Sequence, residues 1–131
     1  MIGMRLVALG CERNGYPALL RYFHRVSLPS GWELKELSVI PCLGFIREET
    51  IFSILEEKAD VLLLAGCPLD ACKNVKGSEV GLRKVTRVNA LLEEAQVNKK
   101  VALALVTPDK TGEIERMLTE IFGFFGGSNK R

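Results

Sequence analysis

The sequence carries almost no excess charge. Eighteen Lys and Arg face sixteen Asp and Glu, a net of +2. That balance is too small to point to nucleic acid, and no stretch interleaves basic with aromatic residues as a base-stacking surface does. No apolar run is long enough to span a bilayer, so no membrane insertion is expected. The opening Met1-Ile2-Gly3-Met4-Arg5 runs straight into a strand-like segment. It lacks the charged start, apolar middle and small-residue cleavage site of a signal peptide, and a cytoplasmic protein is expected. The one histidine, His24, sits beside Arg25 in a helical stretch and reads as a surface residue. No nucleophile–base pair and no acid–base pair stands out. Substrate chemistry by the chain alone is therefore not expected. Internal repeats, linkers and low-complexity segments are also missing.

What is present is enough apolar material for a core. The chain has 131 residues, 47% of them hydrophobic, which suits one domain and excludes disorder. A chain of this length buries roughly two-thirds of its unfolded surface and needs neither disulfide nor metal merely to fold. The expected boundaries are one α/β domain over 1–125 and a flexible polar tail over 126–131. Cytosolic thiols stay reduced, so four cysteines suggest metal or redox chemistry more than structural disulfides.

Two kinds of segment alternate along the chain. Arg5 to Gly10, Leu34 to Ile40, Val61 to Gly66 and Val101 to Val106 are short apolar runs and read as strands. Between them lie stripes at helical spacing. The first comprises Tyr16, Leu19, Leu20 and Phe23, with Asn14 as a candidate cap and Pro17 in the first turn. The second comprises Ile51, Ile54, Leu55 and Ala59, opened by Glu48 and Glu49 where acidic residues favour a helix start. Leu82, Val85, Val88, Leu92 and Ala95 form the third, and Ile114, Met117, Leu118, Ile121 and Phe125 the last. Strands separated by helices imply right-handed crossovers and a parallel sheet. The expected fold is three-layer α/β/α with four parallel strands in the flavodoxin-like order 2-1-3-4.

On that fold the cysteines fall in one place. Cys11 ends strand 1, Cys42 ends strand 2, Cys67 ends strand 3, and Cys72 lies in the loop that follows. Parallel strands end on a common edge, and neighbours stand about 4.8 Å apart. That edge is where open α/β sheets place ligands. Convergent thiolates suit a soft metal centre, either zinc or an iron–sulfur cluster. Zinc sites favour close cysteine pairs. Cys67 and Cys72 can make one, whereas Cys11 and Cys42 form no pair. A thioredoxin-like mechanism needs a Cys-x-x-Cys pair, and the chain has none. A cysteine phosphatase needs an arginine closing the loop after strand 1, where this chain has Pro17.

Three segments carry a resemblance. The first is Cys11-Glu12-Arg13-Asn14-Gly15-Tyr16-Pro17-Ala18 and the second is Pro41-Cys42-Leu43-Gly44. The third is Val61-Leu62-Leu63-Leu64-Ala65-Gly66-Cys67-Pro68-Leu69-Asp70-Ala71-Cys72, followed by the basic Leu82-Arg83-Lys84-Val85. From about Leu6 to Leu92 the chain resembles the delta subunit of methyl-viologen-reducing hydrogenase, the hydrogenase iron–sulfur subunit family. It departs from the family pattern at four places. Asn14 stands where a second cysteine is usual, Phe45 where a basic residue is usual, and Pro68 and Lys73 where histidines are usual. The resemblance implies a 2Fe-2S cluster held by Cys11, Cys42, Cys67 and Cys72. It also implies single-electron transfer between a hydrogenase or formate dehydrogenase module and the heterodisulfide-reductase machinery of anaerobes. The alternative is a four-cysteine zinc-binding module or a cluster-free interaction module. In the electron-transfer reading Gly10, Gly15, Gly44 and Gly66 let backbone approach the sulfurs. The basic stretch Lys73, Lys76, Arg83, Lys84 and Arg87 is either a solvated face or an offset to cluster charge.

Overall fold

A computed structural model describes residues 3–68 and 77–128. Cys72, Lys73 and Lys76 lie outside the described residues. The strands are β1 (Met4–Cys11), β2 (Trp32–Ile40), β3 (Val61–Gly66) and β4 (Lys100–Leu105). The helices are α1 (Gly15–Arg25), α2 (Glu48–Glu57), α3 (Gly77–Glu94) and α4 (Gly112–Ser128), and a short 3-10 turn covers Leu43–Phe45. All strand pairs are parallel and the order is β2-β1-β3-β4, as expected.

The central strands explain the two-sided burial. β1 and β3 are hydrogen-bonded on both edges, so their side chains must be covered on both faces, and their apolar runs are unbroken. Successive residues point to opposite faces. Leu6, Ala8, Leu63 and Ala65 meet Ala18, Leu19 and Tyr22 of α1 and Ile114, Leu118, Ile121 and Phe125 of α4. Val7, Leu9, Leu62 and Leu64 meet Ile51 and Leu55 of α2 and Val85, Val88 and Leu92 of α3. Among the described residues no helix is long and apolar enough to cross a membrane.

The helical faces differ in detail from the expectation. α1 buries Gly15, Ala18, Leu19 and Tyr22, which turns Leu20 outward to 45% exposure. α3 buries Gly77, Ser78, Gly81, Val85, Val88 and Leu92, so Leu82 and Ala95 are exposed. In both helices small residues at the N-terminal end take the inward position: Gly15 lies against the end of β3, and Gly77 and Gly81 lie against the Leu43–Phe45 turn. Asn14 occupies the cap position of α1, but its side chain makes no cap hydrogen bond. α4 runs on to Ser128.

Both outer strands carry a device against pairing with a further strand. In β2 the register with β1 shifts beside Lys35, a bulge that interrupts the ladder. At β4 the Asn89 amide donates to the Val101 carbonyl at 2.7 Å and its Oδ1 accepts the Val101 N–H at 2.9 Å. One side chain of α3 thus replaces a missing neighbouring strand.

Candidate metal centre

The parallel sheet sets the site, because every strand ends on the same rim. Cys11 is the last residue of β1, Cys67 follows the last residue of β3, and Cys42 lies just beyond β2. All three side chains are buried, at 3%, 3% and 4% exposure. β1 and β3 are neighbours with Gly10 opposite Ala65. This pairing brings Cys11 Sγ to 3.6 Å from Cys67 Sγ. The separation is far beyond a disulfide bond.

Gly15 makes the approach of α1 possible. A Cβ at Gly15 would stand 1.9 Å from the Ala65 carbonyl oxygen, so the first residue of α1 presses on the end of β3. From there the Gly15 N–H donates to Cys11 Sγ at 3.1 Å. One of the amides that an α-helix start leaves without an internal partner is thus aimed at the sulfur. Of the four glycines expected to bring backbone to the sulfurs, Gly15 does so through its own N–H. The space beside Gly15 is filled by the Ala65 backbone, and the space beside Gly66 by the Leu43 side chain.

Cys42 is placed by the residue that follows it. Its backbone is extended, and its carbonyl accepts the Phe45 N–H at 3.0 Å to close the Leu43–Phe45 turn. Leu43 is 1% exposed. A Cβ at Gly66 would lie 2.2 Å from its Cδ1, and one at Gly81 would lie 2.8 Å from its Cβ. The residue after Cys42 therefore packs directly against the residue before Cys67. Ser78 fastens the Cys67 side of this contact. It is buried at 1% exposure, and its hydroxyl donates to the Cys67 carbonyl at 2.8 Å.

The donor set can be tested against a metal. Two thiolates bound at about 2.3 Å to one tetrahedral ion stand about 3.8 Å apart. The 3.6 Å between Cys11 and Cys67 matches two ligands of a single metal. Among the described residues, no three Cys, His, Asp or Glu side chains form a group able to hold a metal ion. Cys42 shares the rim without completing a trio, and the fourth candidate, Cys72, lies outside the described residues. The chemistry of the set fits a soft metal or an iron–sulfur cluster and suits hard cations poorly.

The sequence pointed to the cysteines, to Gly15 and to the basic stretch that holds Lys84, but not to Ser78. The Cys-x-x-x-Gly spacing at 11–15 is the signal for the Gly15 amide. Ser78 had no such signal, because its role depends on a tertiary contact with Cys67. In the basic stretch, Arg83 is exposed, Arg87 pairs with Glu48 at 2.6 Å, and the Lys84 ammonium bonds backbone carbonyls after Cys42. His24 is exposed, as expected.

A family model described as methyl-viologen-reducing hydrogenase, delta subunit, matches residues 6–123. All four cysteines fall inside the matched span. No curated protein matches the chain.

Proposed function

The chain belongs to the methyl-viologen-reducing hydrogenase delta subunit family, and from that premise we propose that it is a cytoplasmic electron-transfer subunit carrying a 2Fe-2S cluster on Cys11, Cys42, Cys67 and Cys72. The observation that supports this reading is the 3.6 Å contact between Cys11 Sγ and Cys67 Sγ on the ligand-binding rim of the sheet. When bound, the cluster supplies the one-electron chemistry that no side chain of this protein offers. The protein's own part is to hold the sulfurs and set their surroundings. The Gly15 N–H bonds the Cys11 sulfur, which stabilises negative charge there and favours the reduced state. Burial of the three described thiols keeps water from the ligands. The exchange partners are a hydrogenase or formate dehydrogenase module on one side and a heterodisulfide-reductase-like subunit on the other.

Anaerobic reconstitution with iron and sulfide tests the proposal. The expected outcome is about two irons and two acid-labile sulfides per chain, with a paramagnetic signal after one-electron reduction. Replacing any of the four cysteines by serine should lower the iron content or alter that signal. One zinc per chain without sulfide would move the reading to a four-cysteine zinc module. A colourless chain that takes up no metal and still binds its partners would make it a cluster-free bridge.

A further inference from the structure

Lys84 spends its charge in an unusual way for a lysine on an outer helix. Its ammonium donates to the Gly44 carbonyl at 3.0 Å and to the Ile46 carbonyl at 2.7 Å. These carbonyls flank Phe45 at the end of the turn that Cys42 begins. The amides of the same stretch are already used, since Phe45 N–H bonds the Cys42 carbonyl at 3.0 Å and Ile46 N–H bonds the Leu43 carbonyl at 3.3 Å. Lys84 therefore binds two further carbonyls of the turn from outside. Arg83, the preceding residue, points to solvent instead.

Hydrogen bonds from an ammonium are roughly twice as strong as neutral ones. Two of them, made to carbonyls on either side of one residue, fix the orientation of that segment. Leu43 fixes the start of the turn by packing against Gly66 and Gly81. Phe45, held between the two bonded carbonyls, is left 64% exposed, so its own side chain contributes little to anchoring. The turn depends on Leu43 at one end and on Lys84 at the other. Cys42 is attached directly to it.

We propose that Lys84 is a positioning residue for Cys42, and that its ammonium, fixed on the turn that Cys42 begins, is a positive charge acting on the metal centre. The second half of the proposal rests on the cluster reading above; the first half does not. It assigns Lys84 a role that an arginine, with its planar fork, reproduces poorly, because the two acceptors are carbonyls of one tight turn and not the two oxygens of a carboxylate.

The test compares wild type with Lys84→Met, Lys84→Gln and the control Arg83→Met, all as the full chain. Without metal, alkylation of Cys42 by iodoacetamide is followed by peptide mass spectrometry, alongside amide exchange at residues 45 and 46. Both rates should rise by at least about tenfold in Lys84→Met, given the strength of hydrogen bonds to charged groups. Exchange in β3 should stay unchanged, and Arg83→Met should match wild type. Lys84→Gln decides the matter should Lys84→Met fail to fold. Equal Cys42 alkylation in wild type and the Lys84 variants overturns the positioning role, as does an equal rise in Arg83→Met. After reconstitution with iron and sulfide, the midpoint potential should fall in Lys84→Met and hold in Arg83→Met. A potential that does not move overturns the electrostatic half. Failure of the wild-type chain to take up iron and sulfide would sink the cluster reading and the electrostatic half with it. The alkylation comparison, made without metal, would still decide the positioning role.

Discussion

Cys11 Sγ and Cys67 Sγ touch at 3.6 Å although the residues are 56 positions apart. The contact follows from the pairing of β1 with β3. Two thiols this close need to move by only about 1.5 Å to reach disulfide bonding distance. Metal-free protein treated with oxidised glutathione should therefore link Cys11 to Cys67. Each link consumes one glutathione disulfide and releases two glutathione thiols, through a mixed disulfide. Peptide mapping under non-reducing conditions checks this. A dominant Cys67–Cys72 link would contradict it. Protein loaded with iron and sulfide should resist the same treatment, because the thiolates are then engaged.

Gly15 and Gly112 open two helices, and the same substitution should have opposite effects on them. At Gly15 an added methyl group meets the Ala65 carbonyl oxygen at 1.9 Å, a contact that only backbone movement relieves. Gly15→Ala should cost about 1–3 kcal/mol, the range of overpacking, and stand at its upper end because the contact is with backbone. It should also pull the Gly15 amide off Cys11 and impair metal uptake. At Gly112 nothing lies within 4 Å of the added group, and its φ is not positive. Gly112→Ala should be neutral or stabilise by about 0.4–1 kcal/mol, by restricting the unfolded chain. Thermal unfolding of the two variants checks both directions.

The parallel sheet was legible because Val61-Leu62-Leu63-Leu64 read as a strand buried on both faces and such runs alternated with helical stripes, while the order 2-1-3-4 came from the flavodoxin-like pattern. That alone placed Cys11, Cys42 and Cys67 on one rim. The facing of α1 and α3 was less legible. Hydrophobic periodicity favoured Leu20 and Leu82, whereas the fold turned them outward so that Gly15 and Gly81 could face inward. Periodicity weighs side-chain size, whereas here Gly15 faces the Ala65 backbone and Gly81 the Leu43 side chain, contacts that leave no room for a larger residue. The contacts of Ser78 and Lys84 were hidden for a related reason. Ser78 and Lys84 act on carbonyls, which every residue has, so no pattern of residue types announces the acceptor.

Asn89 shows what an edge strand needs. Its side chain bonds both the N–H and the C=O of Val101, a residue with 1% exposure. Asn89→Leu would leave two buried backbone groups without partners. Each orphan costs about 1–3 kcal/mol, so a loss of at least about 2 kcal/mol is expected. Asn89→Asp keeps the acceptor for the Val101 N–H but sets a carboxylate oxygen against the carbonyl. It should fall between wild type and leucine at acidic pH and approach leucine at neutral pH. Urea unfolding at both pH values measures the difference.

Glu36 ties β2 to the end of α2, and its contribution should depend on pH in a defined sense. The Ser38 hydroxyl donates to one carboxylate oxygen at 2.7 Å and Lys58 donates to the other at 3.1 Å. These bonds, Ser38 foremost, hold the Glu36 carboxyl below its ordinary range. A carboxyl lower in the folded than in the unfolded chain adds stability above its unfolded value. That stability drains away as pH falls through the folded value. Glu36→Gln should therefore lower the unfolding temperature at neutral pH, and the gap to wild type should close in strong acid. With the side chain about a third exposed, solvent screening keeps the effect under about 1 kcal/mol. Salt separates the two contributions. Raising ionic strength weakens the Lys58 attraction and leaves the Ser38 hydrogen bond largely intact. Ser38→Ala should thus raise the Glu36 carboxyl more than Lys58→Met does, and salt should not abolish its effect. The reverse ranking, read by carboxyl titration in NMR, would mean that the ion pair and not the hydroxyl holds the charge.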